Sequence, residues 1–310
     1  MKKIWSAPGK VFLLGEYAVL AGGPAWVAAF SPRFSISESA FEWQGWSSSP
    51  LLFHPESPAG KFLSSRAFPL SAPLHGVDPW KGAGGFGASS AHVVLLEKMS
   101  GTALEFNSPQ LRQAWERYRG LGSRPGELPP SGADFLAQAL GGVVWFEPEG
   151  FGVRQVGEIL NQQKAQLQIR VIQASLQAGR KVATHEHLRK LSAQGGGFLS
   201  ELRQRLSPIT QDGWIALHAG DALGFGQALS RYGDALAALD LEDGATRRDR
   251  QILAKLPGVL GIKGTGALQA DALVAAIDPL GWDPAIWQKT LSQMDLVDVG
   301  EITGLERGAQ

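Results

Sequence analysis

The 310-residue chain carries 29 Lys and Arg against 29 Asp and Glu, a formal net charge of zero, and 44% of its residues are hydrophobic. That balance supplies packed cores for one large domain or two moderate ones, and it lacks the basic excess that nucleic-acid and anionic-membrane binders use. With no cysteine, disulfides, thiolate metal sites and a cysteine nucleophile are excluded.

In chain order, Lys3–Ser6, Val11–Leu14, Trp26–Phe30 and Arg33–Glu38 read as short strands, apolar or alternating. Residues 43–82, rich in Ser, Pro and Trp, read as long loops holding a strand or two. A helix is expected over Ser89–Lys98, and another from Ser108-Pro109, an N-cap followed by proline at the first helical position, to about Arg119. Gly120–Pro130 is expected as a loop and Val143–Glu147 as a strand. Beyond residue 165, Leu167–Ala174 alternates as a strand and helices follow over 184–194 and 195–206. A helical tract from Trp214 to Leu241 is interrupted by glycines 220, 224 and 226. Val259–Ile262 and Ala272–Ile277 read as strands bracketing a Thr-Gly turn, and Asp283–Met294 as a helix. Strands first, then mixed strands and helices, is an α+β order. The N-terminal apolar run is interrupted at Ala7-Pro8-Gly9-Lys10, too early for a signal peptide, and no stretch of about 18 apolar residues could span a bilayer. A cytoplasmic protein without a membrane or nucleic-acid partner is therefore expected.

Three segments carry candidate chemistry. In Ala7–Ala25 a lysine, Lys10, sits between a Pro-Gly turn and an apolar strand that Glu16-Tyr17 closes, bringing a cation and a phenol to a sheet end. The alternative is a hairpin with ordinary end charges. The second segment, Gly82-Ala83-Gly84-Gly85-Phe86-Gly87-Ala88-Ser89-Ser90-Ala91, runs into a helix. Its glycines let backbone N–H groups turn toward an anion, and the helix start adds free N–H groups and a positive dipole end. No Lys-Ser or Lys-Thr follows, so this is not a Walker A loop, and no βαβ unit with a downstream acid supports a dinucleotide site. In the third, Ser131-Gly132-Ala133-Asp134, an aspartate at a turn into an apolar segment suits either a general base in phosphoryl transfer or a helix N-cap. His185 and His187, two apart on a helix, do not share a face for a metal.

In this order the segments resemble the GHMP family of small-molecule kinases. Gly15-Glu16-Tyr17-Ala18-Val19 and Ser131–Phe135 with Gly141-Gly142 are closest to the branch that phosphorylates phosphomevalonate. Val182–Leu188 is similar to the family's Ala-Ser-Thr-x-x-Leu stretch, and Gly261–Asp271 to its Gly-Ala-Lys-Pro-Ser-Gly-Ala-Gly-Gly-Gly-Asp.

The resemblance implies a two-domain fold, a ribosomal S5-like N-terminal domain over 1–165 and a ferredoxin-like C-terminal domain over 166–310, with ATP and acceptor in the cleft between. It implies Asp134 as catalytic carboxylate and Lys10 as the cation at the reacting oxygen. Gly84, Gly85, Gly87, Ala88, Ser89 and Ser90 would wrap the ATP phosphates. Ser89 would contact Mg²⁺, with Ser90 nominated by a shifted match; Glu116 and Glu127 read as solvated surface charges before they read as further acidic ligands. Tyr17, Lys263, Thr265 and Gly266 would hold the acceptor, phosphomevalonate or a similar small molecule, with Arg180, Lys181 and His185 as further cations. A monomer or homodimer is expected. Alternatives are another acceptor within the family and a non-catalytic binding protein, the latter suggested by Leu268, Gln269 and Ala270 where the family has glycines.

Overall fold

The computed structural model describes residues 3–38, 53–65, 74–82, 85–174, 184–270 and 272–310. Two antiparallel sheets organise them. The first is built from β1 (Ile4–Leu14), β2 (Ala25–Glu38), β4 (Val143–Glu147) and β5 (Gly152–Gln155) in that order, with β3 (Leu74–Val77) paired to the far end of β2. The second has the order β7 (Val259–Thr265), β8 (Ala272–Ile277), β6 (Gln168–Ala174), β9 (Leu296–Glu301).

The anticipated break at Ala7–Lys10 does not end the first strand. β1 continues through it with a register shift between Pro8 and Gly9, because Pro8 pairs with Arg33 and Gly9 with Phe30 of β2, which is longer still at 14 residues against 11. Within 43–82 a strand is present as expected, β3, but Pro58–Ser65 is an unexpected helix, α1, burying Ala59 and Phe62. β5 and β9 carry mostly part-buried or exposed side chains, so neither offers the apolar run by which β4 was read.

α2 (Ala88–Met99) and α4 (Ala133–Leu140) lie on β1 and β2, and α3 (Pro109–Gly122) packs beside them. The Ser108 cap is present, its hydroxyl accepting from Gln110 N at 3.2 Å. α5 (Gly157–Gln162) leads into the second half, where α6 (Thr184–Ala193) precedes α7 (Gly195–His218). α7 outruns its expected end at 206 and passes Pro208, because Leu202, Leu206, Thr210, Gly213 and Leu217 continue one buried stripe. Of the three glycines expected to interrupt the next tract, Gly220 lies between helices while Gly224 and Gly226 lie inside α8 (Ala222–Ala237). A Cβ on Gly226 would come within 2.6 Å of the Leu260 backbone, so this glycine permits close helix-on-strand packing instead of ending the helix. α9 (Gly244–Leu253), capped by Asp243, and α10 (Pro284–Gln293), capped by Asp283, complete the elements. The last residues return to the first sheet, where Ser6 and Gln310 exchange backbone hydrogen bonds of 3.0 and 2.9 Å and Arg33 pairs with Glu306 at 2.6 Å.

Candidate active site between the two sheets

The site is built along β1, from Lys10 beside the register shift to Glu16-Tyr17 just past the strand's end. Lys10 is 8% exposed, and its backbone N–H donates to the Phe86 carbonyl at 3.1 Å, tying the strand to the loop before α2. Phe86 is itself fixed, stacked on Trp80 with centroids 4.0 Å apart. The Lys10 ammonium lies 5.1 Å from the centroid of Phe12, two residues along the same face, and among the described residues it has no carboxylate partner.

Gly85 and Gly87 both have left-handed backbone, with φ of 89° and 84°. At Gly87 a Cβ would stand 2.8 Å from Lys10 Cγ and 2.9 Å from Gln138 Nε2, so the close approach of loop, strand and α4 requires glycine there. Gly87 is the N-cap of α2, and among the described residues no side chain caps the helix. The first N–H groups of α2, at Ala88, Ser89 and Ser90, are therefore available to an anion at its positive end. Ser89 is exposed; Ser90 is fully buried and donates to the Gly87 carbonyl at 3.1 Å. The two serines thus separate by environment, and Ser89 is the one that can reach a ligand. Gly84 lies outside the described residues.

Asp134 is half-buried in the first turn of α4, and the N-cap is Gly132, at φ 75°. The carboxylate is not the cap. Its Oδ1 accepts from Phe135 N at 2.9 Å and its Oδ2 from the Tyr118 hydroxyl at 3.2 Å. One turn further along α4, Gln138 is completely buried and its Nε2 donates to the carbonyls of Pro8 at 2.9 Å and Gly87 at 3.1 Å. Asp134 and Gln138, four residues apart, share one helix face, so α4 grips the β1 turn and the α2 cap from the same side.

The remaining candidates form a second, closed cluster. Lys263 is fully buried and its Nζ donates to Glu16 Oε1 and, at 2.7 Å, to the Gly264 carbonyl. Burial lowers the pKa of its ammonium, and the Glu16 charge works against that shift. Gln269 Nε2 adds a donor to the same Glu16 oxygen at 3.1 Å, and Tyr232 donates to the Glu16 carbonyl at 2.7 Å. Tyr17, 6% exposed at φ 65°, accepts from Leu268 N at 2.8 Å and meets His187 Nε2 at 3.0 Å. Thr265 is buried at the end of β7, and Gly266, at φ 90°, starts the turn beyond it. Tyr17 and Lys263 are thus engaged across the two sheets, through Leu268 N and Glu16, and Thr265 and Gly266 lie between Lys263 and Leu268 along the chain. Arg180 and Lys181 lie outside the described residues, as does the side chain of His185. Glu116 points to solvent in a 3.1 Å pair with Arg112 on the same helix. A cavity of about 540 Å³ shares His187 and Leu268 with this cluster but includes neither Lys10 nor Asp134.

Tyr118, Gln138, Glu16 and Gln269 were not singled out as site residues from sequence, although two had a signal. Tyr118 ends the stripe Leu111, Ala114, Trp115, Tyr118, whose last member alone carries a hydroxyl, and Gln138 is the polar residue inside the buried run Phe135–Ala139.

No protein-family model matches the chain, and no curated protein does. Solved structures do. Mevalonate kinase of Methanococcus jannaschii superposes with a TM-score of 0.70 at 15% identity, covering 97% of this chain and 98% of that one. Galactokinase of Lactococcus lactis, complexed with galactose, gives 0.69 at 12% identity over 100% and 95%. Phosphomevalonate kinase of Streptococcus pneumoniae, in complex with phosphomevalonate and AMPPNP, gives 0.64 at 16% identity over 97% and 99%. The chain has the α+β fold of the GHMP kinases, along its whole length. Its structural neighbours are small-molecule kinases that differ in acceptor.

Proposed function

We propose that the chain is a GHMP-family kinase that moves the γ-phosphoryl group of ATP to the hydroxyl of a small molecule, with phosphomevalonate as acceptor. The observation that carries the reading is the convergence on one helix start: Lys10 beside Gly87, and α4 holding the Gly87 carbonyl through Gln138 with Asp134 one turn earlier on the same face. An uncapped helix N-terminus, an open lysine and a carboxylate with spare acceptor capacity are the three groups such a transfer needs. The loop and α2 N–H groups hold the phosphates. Asp134 orients the acceptor hydroxyl and takes its proton as the oxygen bonds to the γ-phosphorus, while the bond to the β–γ bridging oxygen breaks and ADP departs. Lys10 offsets charge on the transferring group.

The donors present suit a Mg²⁺ held mainly by the phosphates, with the exposed Ser89 hydroxyl as protein contact. Bound there, Mg²⁺ would neutralise phosphate charge. Among the described residues no group of three His, Cys, Asp or Glu side chains could cage a metal alone.

The choice of phosphomevalonate rests on the Gly15–Val19 and Ser131–Phe135 motifs. One observation favours an acceptor without a phosphate, such as mevalonate: Lys263, a cation that would meet that phosphate, is buried against Glu16. A coupled ADP-release assay with Mg²⁺-ATP and mevalonate, phosphomevalonate, homoserine and galactose decides. Fastest turnover with phosphomevalonate is expected. A clear lead for mevalonate moves the acceptor assignment, and no turnover with no ATP binding ends the kinase reading.

A further inference from the structure

We propose that Tyr118 is a positioning residue of this site: its hydroxyl fixes the Asp134 carboxylate in register with the first turn of α2. The inference rests on the kinase reading above for its consequence, and on packing for its substance. Tyr118 sits in the last third of α3 and is 4% exposed. Its ring stacks on Phe135, the neighbour of Asp134, with centroids 5.3 Å apart and planes 20° from parallel. That stack aims the phenol along α4 and delivers its single proton to Asp134 Oδ2 at 3.2 Å. The hydroxyls of Ser90 and Ser89 neighbour the same oxygen. Three helices therefore meet at one atom: α3 supplies it, α4 presents the carboxylate and α2 presents the serines.

A phenol has one O–H to give, and an ionised carboxylate is the strongest acceptor in reach. Burial first, and the Asp134 charge second, push the Tyr118 pKa well above its ordinary value, so the hydroxyl remains a donor throughout the working pH range. α3 thus faces the site with a neutral donor, while its acidic residue Glu116 faces solvent. A carboxylate free to rotate in the first turn of α4 would sample positions well away from an acceptor hydroxyl, and a misplacement of about 1 Å can cost about 10²-fold in rate. Tyr118 and Phe135 N each hold one oxygen of it, and each oxygen keeps a further lone pair for an acceptor hydroxyl.

The test is a double-mutant cycle of Tyr118→Phe and Asp134→Ala, read in kcat, in KM for ATP and in the denaturant midpoint. Tyr118→Phe keeps the ring and its stacking. It should lower kcat by about 10–10²-fold with KM for ATP within about twofold of wild type. In the Asp134→Ala background it should lower kcat no further, and the two midpoint shifts should not add. Equal kcat losses in both backgrounds, or a Tyr118→Phe enzyme with wild-type turnover, overturn the proposal. A wild-type chain that turns over no acceptor would sink the kinase reading alone. The midpoint cycle would still decide whether Tyr118 holds Asp134, with additive shifts overturning it.

Discussion

Two turns of this chain look alike in sequence and are used in opposite ways. Gly82–Ser90 and Gly264–Ala270 each combine glycines with small or hydroxylated residues. In the first, among the described residues, backbone N–H groups are left over at the helix start: Gly87 caps α2 without a side chain, and no hydrogen bond engages the N–H groups of Ala88, Ser89 and Ser90. In the second they are consumed. Leu268 N goes to the Tyr17 hydroxyl, Gln269 N to the Gly266 carbonyl at 3.0 Å and Ala270 N to the Ala267 carbonyl at 3.1 Å. The same division separates the two lysines: among the described residues Lys10 has no carboxylate partner beside the first turn, while Lys263 is paired with Glu16 at the second. A glycine-rich string therefore does not by itself mark an anion site; what matters is whether the fold has already satisfied its donors. Leu268 and Gln269 keep left-handed backbone, φ 50° and 58°, where the resemblance expects glycine. Glycine-like geometry is retained there, with Gln269 filling the space against Glu16.

The largest effect should come from the open side. Asp134→Asn removes the proton acceptor while keeping size, and kcat should fall by about 10²–10⁴-fold with ATP affinity little changed. Turnover near wild type in a folded variant would remove Asp134 as the base. On the closed side, Lys263→Met leaves Glu16 buried without its cation and should destabilise by about 3–5 kcal/mol, seen as a lowered denaturant midpoint. Adding Glu16→Gln should recover much of that loss; a double variant no better than the single one would show that the pair is not the cause.

Gly87→Ala sharpens the comparison at the first turn. Its Cβ meets Lys10 and Gln138 in a left-handed backbone, so a loss of about 1–2 kcal/mol in stability and about tenfold in Mg²⁺-ATP affinity is expected. A nucleotide affinity equal to wild type, measured by calorimetry, would separate this turn from the phosphates. Beneath it, His92 of α2 lies between Phe53 and Phe34, and burial lowers its pKa from 6.5 to about 4, with Asp78 opposing. In this window the unfolded chain binds the proton more readily than the folded one. The stabilising contribution is complete above pH 6.5 and is lost as pH falls toward 4. Melting temperature should therefore rise with pH across that interval, and His92→Phe should flatten the rise; an unchanged slope would assign it to other groups. The smallest effect belongs to Leu268→Gly. Relief of left-handed strain and added chain entropy nearly cancel, so stability should stay within about 1 kcal/mol of wild type. A larger loss would mean that the leucine side chain, not the backbone, shapes the second turn.

From the sequence alone, the local signals were legible. The helix opened by Ser108-Pro109, the β4 run and the β6 and β8 strands could be read because capping and apolar periodicity act over a few residues. So could the order of Lys10, the glycine loop and Asp134, which carried the GHMP resemblance. Helix α1, the long β1 and β2, and the passage of α7 through Pro208 could not, since pairing and burial overrode composition and breakers there. Nor could sequence distinguish Ser89 from Ser90, or Lys10 from Lys263. Only the tertiary structure set Lys263 against Glu16, 247 positions away, and placed Tyr118 on Asp134 from another helix. Availability of a donor or a charge depends on which partner the fold brings within about 3 Å, and that distance is not a property of any local string.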